Sequence, residues 1–270
     1  MATNTPFGQR LGLVLEGGAM RGIYTAGVLD VFLEAGIMPD VVVGVSAGAL
    51  HGCSYVAGQK GRSIRYYRKY RSDKHFMGLY SLLTTGDVVG TKFCYEDIPL
   101  RLDPFNEVAF EKAPVDFYVT VTNVRTGKPE YILCDELKVG SKMDVIRAGA
   151  SMPLCSKMVE WNGNLYLDGG VSDSIPYAKM KDFGCRKSIV VLTQPAGYLK
   201  QPAAMAPFEA MYRKYPAFVE AMRGRDQMYN TEVCAVEQAA KQGDVFLDSP
   251  QQVTACWPYG TRHRSSECTI

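Results

Sequence analysis

Residues 11–50 read LGLVLEGGAMRGIYTAGVLDVFLEAGIMPDVVVGVSAGAL, and this stretch decides the fold. Leu11 to Glu16 is a short apolar run of buried-strand type. Gly17-Gly18-Ala19-Met20-Arg21-Gly22 follows as a turn of small residues. Val28, Val31, Phe32 and Ala35 recur at i, i+3, i+4 and i+7, which predicts a helix. Gly36 and Pro39 end it, and Val41 to Val45 forms a second apolar strand. Strand, helix and strand at this spacing make a parallel βαβ crossover. Both turns then fall at carboxyl ends of parallel strands, where open α/β sheets build their sites.

The second turn, Gly44-Val45-Ser46-Ala47-Gly48, fits a G-x-S-x-G nucleophile elbow. Glycines two before and two after the serine remove side chains that would collide in a sharp strand-to-helix turn. The plainer alternative is that Ser46 only caps the helix at Ala47 to Tyr55. The first turn places backbone N–H groups at the start of another helix, where unpaired donors and the helix dipole favour an anion. That is the arrangement an oxyanion hole needs, with Arg21 holding the loop or adding positive charge. A dinucleotide site is the competing reading. It fails because Ala19 breaks the G-x-G-x-x-G spacing and the second strand ends in Ser46, not in an acidic ribose ligand.

Outside this unit the composition sets limits. With 270 residues and 47% hydrophobic composition, one large α/β domain over residues 1–248 fits, followed by an irregular tail at 249–270. A net charge of +2 gives no reason to expect nucleic acid. The cysteines form no CxxC and there are only three histidines, so neither a metal nor another cofactor is expected. The cysteines read as small core residues in a reducing compartment. MATNTPFGQR has no apolar signal core, and no run is long enough to span a bilayer. The expected location is cytoplasmic, with peripheral contact to a membrane.

Along the chain, Lys60 to Arg71 is basic and aromatic without an acid, either a solvated helix face or a rim for anionic lipid. Phe76 to Leu83 is core or an apolar flap. Asp87 to Pro114 reads as irregular. Asp116 to Val124 and Glu130 to Cys134 are strands around the turn at Thr126-Gly127-Lys128. Ser141 to Ala148 opens like a capping box. Asn162-Gly163 predicts a hairpin whose second arm delivers Asp168 into Gly169-Gly170. The plainer alternative is that this aspartate only shapes a turn, and Asp173 is a rival acid. Lys187 to Thr193 is a buried strand, Pro207 to Arg223 and Asp226 to Lys241 are helices, and Asp244 to Asp248 is a last short strand.

Three of these motifs, in this order, resemble the patatin-like phospholipase family: the glycine-rich turn with Arg21, the Ser46 elbow, and Asp168-Gly169-Gly170. Ala150-Ser151-Met152-Pro153 matches the segment that family carries before its aspartate. The resemblance covers about Leu11 to Thr193. It implies a three-layer αβα sandwich with a mostly parallel central sheet, and a Ser–Asp dyad acyl hydrolase with Ser46 as nucleophile and Asp168 as its partner. Gly17, Gly18, Ala19, Arg21 and Gly22 would form the oxyanion turn. One departure stands out: Ala19 occupies a position usually held by glycine. If that residue needs positive φ, alanine costs about 1 kcal/mol.

The chemistry points the same way. Serine is a poor nucleophile until a base takes its proton. After the elbow the chain offers only His51, His75 and His263. His51 lies five residues along the elbow helix, pointing away from Ser46, and His263 lies in the tail. An aspartate base is the economical choice. The expected function is a lipid acyl hydrolase acting on carboxylic esters, with a lipid or ester as its partner. A non-catalytic lipid-binding or regulatory protein is the rival, and a thioesterase or transacylase using the same dyad is a third possibility. Oligomeric state is not encoded legibly.

Overall fold

The computed structural model describes residues 10–252. Most of the expected irregular tail, together with Cys256, His263 and Cys268, therefore lies outside the described residues. The sheet is built from β1 (Arg10–Leu15), β2 (Val41–Val45), β3 (Asp116–Asn123), β4 (Pro129–Leu133), β5 (Val159–Trp161), β6 (Asn164–Asp168), β7 (Cys185–Val191) and β8 (Val245–Asp248). Strands β8, β7, β1, β2 and β3 are consecutive and parallel. β4 and the β5–β6 hairpin join β3 antiparallel. In the hairpin turn Asn162 and Gly163 take φ of 47° and 75°, the left-handed pair that a two-residue connection requires.

The helices are α1 (Ile23–Glu34), α2 (Ala47–Val56), α3 (Arg62–Tyr70), α4 (Leu79–Thr85), α5 (Glu107–Lys112), α6 (Met143–Gly149), α7 (Ala206–Met211), α8 (Pro216–Arg223) and α9 (Arg225–Lys241). Alternation along the strands makes the layers. Leu13, Leu15 and Val42 share a core with Leu29 and Phe32 of α1, Ala49 and Cys53 of α2 and Val145 of α6. Val14, Val41 and Val43 point the other way, onto Tyr229, Val233 and Val236 of α9. Helices on both faces of a mostly parallel sheet give the αβα sandwich.

Several elements differ from the sequence expectation. The buried face of α1 is Thr25, Ala26, Leu29 and Phe32, while Val31 is 58% exposed and Ala35 lies beyond the helix. Small side chains form half that face, so an apolar-only template missed it. The stretch from Asp87 to Pro114 is not irregular. Phe93–Leu102 is a π-helical segment that buries Tyr95, Ile98 and Pro99, and Asn106 caps α5 by accepting from the Ala109 N–H. A π-helix departs from the 3.6-residue period, which hides it from a pattern search. Ser141 is not a cap; its hydroxyl donates to Glu136 Oε1 at 2.6 Å. The helix foreseen from Pro207 to Arg223 breaks into α7 and α8, because Pro216 disfavours helical backbone at Tyr215.

The basic stretch is also divided. Arg62 is buried, donating from Nε and Nη2 to the Asp103 carbonyl and from Nη1 to Ser54 Oγ. Arg65 makes a two-point bridge to the Asp103 carboxylate at 2.7 and 2.8 Å. Neither belongs to a free rim, whereas Arg68, Lys69 and Arg71 are exposed. Among the described cysteines, Cys53, Cys134 and Cys185 are core residues, but Cys234 is exposed on α9.

Candidate active site

The site follows from how two strands end. β2 runs parallel to β3 and finishes with Val45 opposite Thr120. β6 runs antiparallel and finishes with Asp168 opposite Val121. β4 pairs with β3 through these same residues, so it must take the other edge. β2 and β6 therefore meet head-on along one edge of β3, at adjacent residues. The side chains just past that junction touch: Ser46 Oγ donates to Asp168 Oδ2 at 2.6 Å across 122 residues of sequence.

Ser46 has φ 52° and ψ −121°, a backbone conformation that L-residues avoid and that costs about 1–3 kcal/mol. It stands at the N-cap of α2, where the helix dipole favours negative charge. The flanking glycines are required by contact. A Cβ on Gly44 would lie 2.5 Å from Ala49 Cα, and one on Gly48 would lie 2.3 Å from the Leu15 carbonyl oxygen. Gly17 is equally constrained, since its Cβ would come within 2.9 Å of Ser46 Cβ. The glycine-rich turn thus lies directly against the elbow.

Within that turn, Gly18 packs on Thr193 and Gly22 on Ala47 and His51. Ala19 has φ 46°, so it does occupy the left-handed region that glycine would take without cost. The Gly17 and Gly18 N–H groups have no acceptor among the described residues. Arg21 is half-buried, and its Nε is without a hydrogen bond. Beneath the turn lies Glu16, buried at 3% exposure, accepting from the Thr193 N–H at 2.5 Å. Burial raises its pKa against the opposing hydrogen bonds of Thr193 and Tyr229 and the charge of Arg21. The sequence reading counted Glu16 only as a strand end. An acid closing an apolar strand just before Gly-Gly was the available signal.

Asp168 is buried as well, which raises its pKa; the Ser46 hydrogen bond, the Arg225 charge and the Gly170 N–H oppose this. Its backbone N–H donates to the Ser151 carbonyl at 2.9 Å, and Thr122 Oγ1 donates to its carbonyl at 2.8 Å. The Gly170 N–H donates to Oδ1 at 2.8 Å, while the Gly170 carbonyl accepts from Arg225 Nε at 2.6 Å. Gly169 lets the chain pass Thr120, whose carbonyl oxygen would stand 2.2 Å from a Cβ there. The rival acid is engaged elsewhere: Asp173 accepts from Tyr131 and faces Glu232, whose pKa is pushed up to about 9 by burial and by Asp173. His51 makes no hydrogen bond to Ser46. Burial lowers its pKa to about 4, so it is neutral at pH 7.

Two cavities meet at Ser46. The first, about 130 Å³, is apolar and lined by residues such as Leu50, Tyr66, Tyr67, Met77, Ile98 and Ile146. The second, about 320 Å³ and hereafter the polar cavity, sets Glu16, Arg21, Asp168, Lys200 and Arg225 beside apolar walls from Val171, Phe208 and Met222. Ala19, Ser46 and Met152 line both. Among the described residues no group of three His, Cys, Asp or Glu side chains is arranged to hold a metal, and no helix is long and apolar enough to cross a membrane.

The family model described as Patatin-like phospholipase matches residues 13–180, which include the elbow, the glycine-rich turn and Asp168. The chain belongs to the patatin-like phospholipase family. It is 31% identical over 193 residues to YjjU of Escherichia coli (strain K12), covering 69% of this chain and 53% of that protein. It is 30% identical to lysophospholipase nte1 of Aspergillus terreus over 66% of this chain, and to lysophospholipase NTE1 of Saccharomyces cerevisiae over 68%. The matched region is 11% of each of those two longer proteins. Among solved structures, VipD from Legionella pneumophila superposes with a TM-score of 0.39 at 13% identity, over 75% of this chain and 52% of that one.

Proposed function

We propose that this patatin-like chain is a lipid acyl hydrolase that cleaves carboxylic esters through a Ser46–Asp168 dyad and an acyl-enzyme. The observation that carries the proposal is the 2.6 Å hydrogen bond from Ser46 Oγ to Asp168 Oδ2, with no histidine bonded to Ser46 among the described residues. Asp168 takes the Ser46 proton as Oγ attacks the ester carbonyl carbon. The oxyanion is met by the N–H groups of the Gly17–Ala19 turn, where one donor is worth roughly 3 kcal/mol. Asp168 then returns the proton to the leaving alcohol oxygen, and water releases the acyl group by the same steps reversed.

The apolar cavity is the place for the acyl chain. The names of the fungal relatives favour a monoacyl phospholipid, and the cavity at Ser46 is large enough to begin receiving one chain. Leu79 and Leu83 of α4 are 68% and 77% exposed, close in sequence to Phe76 and Met77 of the cavity wall. Such a surface suits peripheral contact with lipid, with the exposed Lys74, its ammonium 4.7 Å from the Tyr80 ring centre of α4, as a cation beside it.

A fluorophosphonate probe tests the reading. It should label wild-type protein at Ser46 and leave Ser46→Ala unlabelled. Turnover on short esters and monoacyl phospholipids should follow the same pattern. Absence of both labelling and turnover in folded protein would make it a non-catalytic lipid binder. Transfer of acyl groups to acceptors other than water, or preference for thioesters, would replace hydrolysis of oxygen esters with the transacylase or thioesterase reading.

A further inference from the structure

The polar cavity at Ser46 contains Arg21, Lys200 and Arg225, contributed by the glycine-rich turn, the loop before α7 and the start of α9. None of the three forms an ion pair with a carboxylate among the described residues. The two acids in the same cavity are committed to other donors: Glu16 to Thr193 and Tyr229, Asp168 to Ser46 and Gly170. Three cations against two occupied carboxyls leave the cavity positive even with both acids ionised. Arg21 Nε is buried without a hydrogen-bond partner. Lys200 is fixed at its backbone by a reciprocal pair with the Asn230 side chain, at 2.8 and 3.1 Å, and its ammonium rests 4.3 Å from the Tyr229 ring centre. Desolvating three cations together with only two carboxyls to offset them is costly. An arriving anion removes that cost.

The position of Asp168 gives the cavity its role. Asp168 lines the polar cavity and not the apolar one. Under the dyad reading, the group that protonates the leaving oxygen must lie on the leaving-group side. The acyl chain then fills the apolar cavity, and the alcohol portion lies among Arg21, Lys200 and Arg225.

We infer that this cavity is an anion subsite for the leaving group, selecting esters whose alcohol carries a phosphate, with Lys200 and Arg225 as specificity-determining residues. This rests on the hydrolase reading for its orientation, but not for the binding itself. Burial, then the nearby Arg225, lowers the Lys200 pKa to about 8, as expected of a cation waiting for a counter-ion. Arg225 also supports the Gly170 carbonyl, so Lys200 is the cleaner residue to change.

The test compares monoacylglycerol 3-phosphate with monoacylglycerol of the same chain length. Wild-type protein should show at least a tenfold lower KM for the phosphate ester. Lys200→Met should remove most of that advantage, and Lys200→Arg should restore it. Glycerol 3-phosphate should compete with a neutral ester in wild-type protein where glycerol does not, a comparison that needs no variant to fold. Calorimetric titration of glycerol 3-phosphate into Ser46→Ala separates the two readings. Binding there that needs Lys200 upholds the subsite even if no ester is hydrolysed. Turnover with equal KM for charged and neutral esters overturns the subsite and leaves the hydrolase reading standing. If inorganic phosphate binds as tightly as glycerol 3-phosphate, and an added acyl chain gains nothing, the site serves free phosphate and the leaving-group assignment is wrong.

Discussion

Replacing Asp168 with asparagine tests the proposed role of its carboxylate as a base separately from its structural role. Oδ1 accepts the Gly170 N–H at 2.8 Å, so an asparagine must keep its carbonyl oxygen there. Its NH₂ then faces Ser46 Oγ where Oδ2 now accepts at 2.6 Å. The hydroxyl can only accept from that group, and no base remains to take its proton. A positioned general base is typically worth about 10²–10⁴-fold, or about 3–5 kcal/mol of barrier. With no histidine bonded to Ser46 to stand in, the loss should lie near 10⁴-fold in kcat. The fold should not suffer. Burial raises the Asp168 pKa above the ordinary carboxylate value, so between the unfolded and folded pKa the native state binds more protons than the unfolded one. Stability conferred by this group is therefore greatest at low pH and falls as pH rises through that window. Asparagine removes the dependence, and the variant should equal or exceed the wild-type Tm at neutral pH while matching or falling below it in acid. The assays are ester turnover, fluorophosphonate labelling rate and thermal unfolding across pH. Retention of a tenth or more of wild-type kcat by folded Asp168→Asn would refute the dyad. If the proposed dyad acts as a unit, Ser46→Ala/Asp168→Asn should be scarcely worse than either single change.

Ala19→Gly relieves an exposed alanine at φ 46° and should stabilise the fold by about 1 kcal/mol, raising Tm by roughly 2–4 °C; a fall in Tm would show that the turn gains from the methyl group. Arg62→Leu leaves the Asp103 carbonyl and Ser54 without their buried donor and should cost about 3 kcal/mol in denaturant unfolding, whereas Arg68→Ala with Arg71→Ala should stay within about 0.5 kcal/mol. Leu79→Ser with Leu83→Ser should weaken sedimentation with lipid vesicles and spare turnover of a soluble short ester; unchanged vesicle binding would remove α4 from the lipid-facing surface.

The sequence by itself determined whatever is encoded within a few residues. Glycines at 44 and 48 announce an elbow because a Cβ there collides with Ala49 of α2 or with the end of β1. Asn162-Gly163 announces a hairpin because both residues must adopt positive φ. The triple of glycine-rich turn, elbow and Asp-Gly-Gly is legible for the same reason. Which acid faces Ser46 is different, because Asp168 and Asp173 are near neighbours in sequence and look alike locally. Only the register along β3 brings the ends of β2 and β6 to adjacent residues, and it sends Asp173 to Tyr131 and Glu232 instead. The burial of Arg62 beside Asp103 and the gathering of Arg21, Lys200 and Arg225 in one cavity depend likewise on partners 41, 179 and 204 positions away or on charges with no motif of their own. Local steric rules leave a trace in neighbouring residues; pairing and charge across the sheet leave none until the chain has folded.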